Sequence, residues 1–480
     1  MFHQMISKLN IKPTGLSQDS RQLKPGEIFF AFKEKYIMQA IEKGACAILY
    51  DSSIFIDVTH KKYAVPMIPI PNISEKIGVF ASEFYSIPSK DMHVIGVTGT
   101  NGKTSCTHFL AQSFEWSGFK SAVIGTLGNG EIHHLTHTQL TTPDAVTLQQ
   151  TLFHFKQNRV QFVAMESSSH ALDQGRMNGT QIETGVFTNL TQDHLDYHGN
   201  MENYAKAKFR LFQQHNPKYA VINVDDSYGL SLAHHLNTHS SVNVYGVSTN
   251  YLSTDFPVVY TENIQLHRDG LSAYVITPWG NGQLTTQLWG KFNLSNLLCV
   301  LTVLLLYKIQ LNHALKYISQ LNTVAGRMQL FKSNNKPLVI VDYAHTPDAL
   351  LKTLTTIREH CNEKSRIWCV FGAGGDRDNS KRPQMGKVVE EHADQIILTN
   401  DNPRYENPLD IIAQIKNGIS HTENTIIELS REKAIAHALS CAKPDDIILV
   451  AGKGHENTQE INGEKIPYSD ILTVKRLLLE

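Results

Sequence analysis

Short apolar runs alternate with amphipathic stretches over two long parts of the chain. Between about residues 90 and 225, the runs with the length of buried strands are HVIGV, SAVIGT, QFVAM, TGVFTN and YAVINV. The alternation returns after residue 330 with PLVIVDY, RIWCVFGAG, DQIILTND and DIILVAGKG, and residues 348–360 read as one of the helices between them. Parallel strands need long crossovers, which are usually helical. The pattern therefore predicts an α/β fold with two parallel sheets.

The remaining segments indicate further divisions. Residues 240–290 alternate in polarity around the turn signals HRDG (267–270) and GNG (280–282), which is typical of an antiparallel excursion. The first 85 residues surround a Pro25-Gly26 turn, and residues 87–91 read as a linker. A chain of 480 residues has room for about three domains. We expect a small N-terminal α/β domain (1–88), a central P-loop-type parallel sheet with the antiparallel excursion (89–325) and a C-terminal Rossmann-like α/β domain (326–480).

Charge and composition exclude several classes of partner. The net charge of -1 and the pI of about 7.1 provide no broad positive field for nucleic acid. The N-terminal sequence lacks an apolar signal region, and the apolar run 297–306 is far shorter than a membrane span. Six scattered cysteines without a CxxC pair are typical of buried thiols in a reducing compartment. We expect a cytoplasmic monomer that binds small ligands and does not insert into membranes.

The segment HVIGVTGTNGKTS combines a strand, a glycine-rich turn and the start of a helix near Lys103. Backbone N–H groups and the helix N-terminus would face one small volume, which suits phosphate. Lys103 would reach the β- and γ-phosphates, the Thr104 hydroxyl would take a Mg²⁺ position, and Gly99 and Gly102 would let the backbone approach. Val97 stands where the GxxxxGK[ST] pattern has its first glycine, so a plain glycine turn is the alternative interpretation.

Two of the expected strands end in possible metal ligands. QFVAM runs into ESSSH (166–170), and TGVFTN is followed by QDHLDYH (192–198). Carboxylate oxygens with one imidazole suit Mg²⁺ held between protein and phosphates. Alone, an Asp-His pair in a loop is more often a hydrogen-bonded turn. Together with the phosphate loop, the pattern favours a metal site. In the following YAKAK helix, Lys206 reads as part of a solvated face.

A series of motifs covers nearly the whole chain in one order: GTNGKTS, TTPD (141–144), ESSSHAL (166–172), DHLDYHG (193–199), YAKAK, GKFNLSN (290–296), AGRMQLF (325–331), DYAHTPDAL (342–350), GGDRD (374–378), DNPR (401–404) and GKGHE (452–456). In this order they resemble the Mur ligase family. The resemblance implies three domains that bind, in turn, a UDP group, ATP and an incoming amino acid. It also implies a Mg²⁺- and ATP-dependent ligase that adds meso-diaminopimelate to UDP-MurNAc-L-Ala-D-Glu through an acyl phosphate, in peptidoglycan synthesis.

The resemblance assigns nucleotide and metal roles residue by residue. Asn293 and Asn296 would contact adenine, Asp342 the ribose and Arg327 the γ-phosphate. The whole set of implied ATP contacts is Gly99, Thr100, Asn101, Gly102, Lys103, Thr104, Ser105, Asn293, Asn296, Arg327 and Asp342. The implied catalytic residues are Lys103, His194, Lys208 and Arg327, and the implied Mg²⁺ ligands are Thr104, Glu166, His194 and Lys208 as a carbamate. Carbon dioxide added to the neutral Lys208 amine would replace a cation by an anion.

The resemblance also assigns the two other substrates. The implied contacts of the UDP-MurNAc-peptide are Ser20, at the UDP group, and Thr141, Thr142, Ser168, Gln174 and Arg176, at the muramoyl-peptide. The implied contacts of diaminopimelate are Arg377, Asp401, Asn402, Pro403, Arg404, Gly452 and Glu456. An arginine fork can bind the distal carboxylate with two hydrogen bonds, and L-lysine lacks that carboxylate. Without the resemblance, DNPR would read as a proline turn.

The sequence departs from the family pattern at two places. AFKEKYIMQAIEKGA runs almost directly into a helix where the family has a histidine- and glycine-containing loop, which implies a trimmed uridine pocket. Leu140 stands where an asparagine commonly precedes TTP. Three alternatives stay open: a lysine-adding relative, a folylpolyglutamate synthetase and a regulator that hydrolyses ATP without ligation. DNPR and the DSR segment argue against the first two, and the motifs in 377–456 argue against the third.

Overall fold

The computed structural model describes residues 2–9, 11–54, 63–138, 140–362 and 364–479. The chain forms two compact units, each with buried cores of its own. The first unit consists of Met1–Glu262, Val275–Gly282 and Ser295–Ile318, and the second of Asn263–Tyr274, Gln283–Leu294 and Ser319–Glu480. The first unit thus contains both the N-terminal segment and most of the central segment, and the domain limits at 88 and 325 stay predictions.

A four-stranded parallel sheet forms the beginning of the first unit. Its strands lie in chain order: β1 Gly15–Ser17, β2 Glu27–Ala31, β3 Ala47–Asp51 and β4 Met67–Ile70. Its helices are α1 Phe2–Ser7, α2 Ile37–Glu42 and α3 Ile73–Phe84. A single 3₁₀ turn, Glu34–Tyr36, separates β2 from α2, as expected where the family loop is missing. A second 3₁₀ turn, Pro88–Asp91, occupies the expected linker.

An eleven-stranded sheet forms the centre, with the order β15-β14-β13-β12-β11-β10-β5-β9-β6-β7-β8. Its strands are β5 His93–Thr98, β6 Ser121–Gly125, β7 Gly128–Glu131, β8 His134–Thr136, β9 Phe162–Glu166, β10 Thr184–Phe187, β11 Tyr219–Asn223, β12 Asn243–Ser248, β13 Val258–His267, β14 Gly270–Thr277 and β15 Gly280–Thr286. The seven strands from β6 to β13 in this order are parallel. This confirms the parallel sheet, and β5, β9 and β10 end at the expected loops.

Polar caps start several helices around this sheet. Asp144 begins α5 by accepting hydrogen bonds from the Val146 and Thr147 N–H groups, both at 3.1 Å, and Asn200 caps α8 in the same way. The helices are α4 Lys103–Trp116, α5 Ala145–Gln157, α6 Ser169–Asp173, α7 Leu195–His198, α8 Met201–Gln213, α9 Ser227–His239, α10 Lys291–Leu306 and α11 Leu311–Gln320. The apolar run 297–306 lies in α10, and the described part of the chain has no helix that could span a bilayer.

One of the two turn predictions in the antiparallel excursion is wrong. HRDG does turn at residues 268–269, but residues 280–282 lie inside β15, and the second turn is formed by Pro278 and Trp279. The Thr277 hydroxyl donates to the Gly280 carbonyl at 2.7 Å and accepts from the Trp279 N–H at 3.0 Å. Thr277 thus closes the turn two residues before the position that the glycines suggested.

The second unit has a six-stranded sheet with helices on both faces. Its order is β16-β17-β21-β18-β19-β20, and β16 is its antiparallel strand. The strands are β16 Gln329–Phe331, β17 Leu338–Asp342, β18 Ile367–Phe371, β19 Gln395–Leu398, β20 Thr425–Ile427 and β21 Ile447–Ala451, with a separate hairpin of β22 Thr458–Ile461 and β23 Glu464–Pro467. The helices are α12 Pro347–His360, α13 Lys381–His392, α14 Pro408–Lys416, α15 Arg431–Cys441 and α16 Asp470–Leu479, with a 3₁₀ turn at Thr422–Asn424. This confirms the Rossmann-like prediction.

The cysteines are free thiols, and not all of them are buried. Cys106, Cys299 and Cys369 lie in the cores, where burial raises the pKa of each thiol, but Cys441 is exposed at the end of α15. The expectation of buried thiols is therefore wrong for Cys441, which ends its helix, and Cys46 and Cys361 are only half-buried.

Candidate functional site

The glycine-rich loop connects β5 to α4 in the first unit, as expected. Gly99 and Gly102 have φ angles of 147° and 86°, which an L side chain rarely adopts. Lys103 begins α4, and its Nζ donates to the Gly99 and Thr100 carbonyls, both at 2.9 Å. The Asn296 side chain lies so close to Gly102 that a Cβ there would collide with its Oδ1. The structure therefore places Asn296 against the loop, and its contact with adenine stays a prediction.

The tight contact at Gly102 leads to a stability prediction. A residue with a side chain loses about 1–2 kcal/mol in the left-handed conformation of Gly102. Gly102→Ala should lower the free energy of unfolding by more than this amount, because the added Cβ also displaces Asn296. Gly118→Ala is the matched control, since Gly118 has a φ of 84° at the end of the same helix and no heavy atom within 4 Å of its Cβ position. Urea unfolding measures both variants. Equal losses would show that the Asn296 contact contributes nothing.

Glu166 is a buried carboxylate at the end of β9. Its Oε1 accepts hydrogen bonds from the Thr104 hydroxyl at 3.0 Å and the Thr126 N–H at 2.8 Å, and its Oε2 accepts from the Thr126 hydroxyl at 3.2 Å. The structure thus joins two of the four expected metal ligands, Thr104 and Glu166. Thr126 was missed, because an isolated threonine after β6 gives no sequence signal.

A hydroxyl beside a carboxylate fits Mg²⁺, which binds hard oxygen atoms and completes its shell with water and phosphate oxygens. The described residues contain no group of three or more His, Cys, Asp or Glu side chains that could hold a metal by themselves. The oxygen pair of Thr104 and Glu166 therefore fits a metal that arrives with a phosphate ligand better than a metal in a closed protein cage.

Lys208 is buried in α8 and lies against the phosphate loop. Its side chain is only 1% exposed, and its Nζ donates to the Gly99 carbonyl at 2.7 Å and lies 4.4 Å from the centre of the Tyr204 ring. Burial and the nearby charge of Lys103 hold the pKa of Lys208 well below its usual range. Its amine therefore loses its proton more readily than a surface lysine. Lys206 is exposed and pairs with Glu202 at 2.7 Å, which confirms its place on a solvated face.

His194 belongs to a cluster of aromatic rings beside the same loop. Its imidazole packs edge-to-face on His170, with ring centres 5.0 Å apart, and lies 3.5 Å from the Asp193 carboxylate. The cluster also contains Tyr197 and Tyr204, and the Tyr204 hydroxyl is 3.2 Å from the Thr100 hydroxyl. His194 and Thr100 thus both contact Tyr204, which links the ring cluster to the loop.

Five of the six residues expected to contact the UDP-MurNAc-peptide form one hydrogen-bonded chain or lie beside it. Arg176 donates to the Thr142 carbonyl at 3.1 Å and to Gln174 Oε1, and the Thr142 hydroxyl is 3.2 Å from the Ser168 hydroxyl. Thr141 lies at the other side, 3.2 Å from the Thr126 hydroxyl that bonds Glu166. This chain connects the predicted substrate residues to the buried carboxylate.

A cavity of about 1750 Å³ opens next to this chain. Gln174 and Arg176 line it, and so does Ser20, whose hydroxyl donates to Gln39 Oε1 at 2.7 Å. The two departures from the family pattern also lie there, since Phe32, Tyr36 and Leu140 are exposed on its wall. The cavity is large enough for a nucleotide-sized ligand.

A second cluster of polar residues lies at the ends of β19 and β21 in the second unit. Asn402 donates from Nδ2 to Glu456 Oε2 at 2.9 Å, while Lys453 donates to both Asn402 Oδ1 and Glu456 Oε2. Burial opposes the charge of Glu456, but the Lys453 ammonium and the Asn402 amide hold the pKa of Glu456 below its usual range. Lys453 was given no role, although it stands inside GKGHE.

Two arginines, Arg377 and Arg404, lie close to the backbone of Gly374 in the same cluster. A Cβ on Gly374 would lie 3.1 Å from Arg404 Nη1 and 3.7 Å from Arg377 Cγ. Arg404 donates from Nη1 to the Gly375 carbonyl at 2.6 Å, and its Nε forms an ion pair with Glu460 Oε2 at 3.2 Å. Its guanidinium is thus fixed in direction by two acceptors. The turn starts only at Pro403 and ends at Glu406, and Arg404 pairs with Ile461 in an isolated parallel bridge, so DNPR itself is not the proline turn of the alternative interpretation.

Asp401 and Gly452 meet at the base of this cluster. Within the described residues, the buried Asp401 Oδ2 has no hydrogen-bond donor, and a Cβ on Gly452 would collide with it. Gly452 also has a φ of 117°, so both its backbone conformation and the close Asp401 oxygen require glycine at this position. Pro403 places its carbonyl against Gly375 and accepts from the Glu406 N–H at 3.0 Å. All seven residues expected to contact diaminopimelate thus lie in one part of the second unit.

The other expected ATP contacts of the second unit have partners of their own. Asp342 accepts from the Met328 N–H at 2.7 Å and the Ala344 N–H at 2.8 Å, and burial raises the pKa of its carboxyl. Arg327 stacks over the Tyr343 ring at 4.9 Å. Asn293 donates to the Trp289 carbonyl at 2.8 Å. Their nucleotide roles stay predictions.

Comparison with known proteins gives matches along nearly the whole chain. Residues 97–304 match the model of the Mur ligase middle domain, and residues 326–454 match that of the Mur ligase, glutamate ligase domain. The chain is 47% identical over 470 residues to the UDP-N-acetylmuramoyl-L-alanyl-D-glutamate–2,6-diaminopimelate ligase of Coxiella burnetii, covering 96% of this chain and 95% of the relative. It is 42% identical to the ligase of the same name from Chromobacterium violaceum, covering 99% and 96%.

A solved structure agrees with the sequence matches. A UDP-N-acetylmuramoyl-L-alanyl-D-glutamate–2,6-diaminopimelate ligase superposes with a TM-score of 0.73 at 34% identity, covering 97% of this chain and 94% of that chain. The chain is therefore similar to these ligases over nearly its whole length, both in sequence and in fold.

Proposed function

The chain belongs to the Mur ligase family, and we propose that it joins meso-diaminopimelate to UDP-MurNAc-L-Ala-D-Glu with ATP as the phosphoryl donor. One observation of the structure supports the choice of amino acid. Arg377 and Arg404 lie beside an acceptor group formed by Asn402 and Glu456. Arginines recognise a carboxylate and an anionic glutamate recognises an ammonium, so the cluster suits a side chain that ends in an amino-acid group.

Phosphoryl transfer is the first step of the proposed reaction. The D-glutamyl γ-carboxylate oxygen attacks the γ-phosphorus of ATP, the bond to the β-phosphate oxygen breaks, and an acyl phosphate and ADP result. Lys103 would leave the Gly99 and Thr100 carbonyls and stabilise the charge that develops on the phosphoryl oxygens. The N–H groups at the start of α4 would hold the phosphates.

Amide formation is the second step. The amine of diaminopimelate attacks the acyl carbon and loses a proton, and the tetrahedral intermediate expels phosphate. Arg404 and Glu456 would orient the far end of the amino acid, which positions its reacting amine without touching it. The enzyme forms no covalent bond with the substrate in either step.

Mg²⁺ and a carbamate would complete the first site. Thr104 and Glu166 would hold the metal, which would neutralise phosphate charge when it is bound. We propose that Lys208 carries a carbamate, because its buried amine gives up its proton readily and lies beside the phosphate loop. The product is a cell-wall precursor, and we place the reaction in the cytoplasm. The monomeric state stays a prediction.

An isotope experiment tests the proposed chemistry. UDP-MurNAc-L-Ala-D-Glu with a heavy-oxygen label in its γ-carboxylate is incubated with ATP, Mg²⁺ and diaminopimelate, and the released phosphate is analysed by mass spectrometry. We expect one labelled oxygen in each phosphate molecule, because the acyl phosphate transfers its bridging oxygen. Release of unlabelled phosphate would mean that water attacks ATP directly, as in the alternative of a regulator that hydrolyses ATP without ligation.

Arg404→Lys should weaken the use of diaminopimelate selectively. Lysine cannot form two parallel bonds to a carboxylate, so the KM for diaminopimelate should rise by about tenfold to a hundredfold while the KM for ATP changes little. Initial-rate kinetics measure both constants. Arg476→Lys is the matched control, because Arg476 forms an exposed ion pair with Glu432. An unchanged KM for diaminopimelate would contradict the role of Arg404.

A further inference from the structure

Lys453 is a buried cation in direct contact with the second polar cluster. Its side chain is 0% exposed, and its Nζ lies 2.9 Å from Asn402 Oδ1 and 2.8 Å from Glu456 Oε2. It follows β21 between Gly452 and Gly454, whose φ angles of 117° and 52° are positive. A buried ammonium is retained only when acceptors compensate its lost hydration, and here the acceptors are two residues of the expected amino-acid pocket.

The contacts of Lys453 determine how Asn402 presents its amide. Asn402 Oδ1 accepts from Lys453 Nζ and from the Glu460 N–H at 3.0 Å, so this oxygen has two donors. Asn402 Nδ2 must then point to Glu456, to which it donates at 2.9 Å. The reversed amide would face Lys453 with an N–H₂ group and Glu456 with an oxygen, and both contacts would become repulsive. Lys453 and the Glu460 N–H together therefore fix the orientation of Asn402.

The same ammonium fixes Glu456. Lys453 and Asn402 both donate to Glu456 Oε2, which anchors the carboxylate through this single oxygen. A carboxylate anchored in this way keeps its negative charge and directs its Oε1 away from the anchor. The resulting anionic acceptor lies in the same cluster as Arg404, whose Nε is held by Glu460.

We propose that Lys453 is a positioning residue for the amino-acid substrate: it holds Asn402 and Glu456 in the arrangement that accepts the ammonium group at the far end of the substrate. The inference rests on the proposed function and deepens it, because it names the residue on which the selectivity of the second site depends. Lys453 acts through Asn402 and Glu456 and does not itself contact the substrate.

Steady-state kinetics of Lys453→Met test this role, because methionine keeps the length of the side chain and removes its charge. The KM for diaminopimelate should rise by about tenfold to a hundredfold, since hydrogen bonds to charged groups are lost, while the KM values for ATP and the UDP substrate stay within about threefold. Lys453→Arg keeps a cation and should recover part of the loss. Lys352→Met is the matched control, because Lys352 pairs with Asp348 on the surface of α12.

A double variant keeps the test valid if Lys453→Met folds poorly with an unpaired buried Glu456. Lys453→Met with Glu456→Gln removes both charges, and its KM for diaminopimelate should stay close to that of Glu456→Gln alone. The reason is that Asn402 Oδ1 keeps the Glu460 N–H as a donor, so most of the effect of Lys453 is exerted through Glu456. Additive effects, or equal losses for all three substrates, would overturn the inference. Failure of the proposed function is recognised separately, because the wild-type enzyme would then not add diaminopimelate at all.

Discussion

Lys103→Ala should lower turnover by about a hundredfold to a thousandfold, the usual effect of removing one preorganised donor to a developing charge. Lys103 begins α4, and its ammonium is held over the loop by the Gly99 and Thr100 carbonyls. Lys208 cannot replace it, because Lys208 is directed to the Gly99 carbonyl from a different helix and has a strongly lowered pKa. The measurement is the rate of phosphate release with all three substrates at saturation.

The control for Lys103→Ala is Lys120→Ala, which removes an exposed lysine that pairs with Glu131 at 3.2 Å. Its turnover should match that of the wild type. Circular dichroism establishes that both variants are folded. Turnover of Lys103→Ala within a few-fold of the wild type would remove the phosphate role from the loop.

Lys208→Met should lower turnover by about a hundredfold, as expected when a charged group beside the phosphates is lost. Methionine fills the space of the buried side chain, so the packing against Tyr204 is largely kept. The carbamate itself is observable by nuclear magnetic resonance with isotopically labelled bicarbonate. The wild type should show one carbamate signal that Lys208→Met lacks.

Lys206→Met is the matched control for the carbamate, because Lys206 lies on the exposed face of the same helix. This variant should keep both the signal and the turnover. A wild-type enzyme that is fully active and shows no carbamate signal would contradict the proposed modification. Loss of the signal in Lys206→Met would show that the carbamate is on Lys206 and not on Lys208.

Most strands could be predicted from the sequence, because strands buried on both faces of a parallel sheet need unbroken apolar runs. The start of α4 at Lys103 was also predictable, because the glycine-rich turn before it is a recognisable signal for the end of a strand and the beginning of a helix. The second turn of the antiparallel excursion was not predictable. Gly280 and Gly282 signal a turn locally, but the hydroxyl of Thr277 closes it at Pro278 and Trp279.

Side-chain partners in the sites were harder to predict than the sites themselves. The resemblance identified Glu166 and Glu456, which stand in recognisable motifs. It gave no role to Thr126, which holds the first carboxylate, or to Lys453, which holds the second. Thr126 is far from Glu166 in the sequence, whereas Lys453 belongs to the same motif as Glu456. In both cases only the folded structure shows that the side chain points to the carboxylate. The sequence alone also gave no physical reason for the proposed carbamate on Lys208, and the burial beside Lys103 that lowers the pKa of its amine supplies one.

The most direct test of the proposed activity is phosphate release from ATP with UDP-MurNAc-L-Ala-D-Glu and Mg²⁺, measured with meso-diaminopimelate, with L-lysine and without an amino acid. The mass of the nucleotide product is determined in each case. The proposed function predicts phosphate release and a UDP-MurNAc-tripeptide with diaminopimelate alone. Product formation with lysine would contradict the role of Arg404, and phosphate release that is the same in all three mixtures would contradict the ligase activity itself.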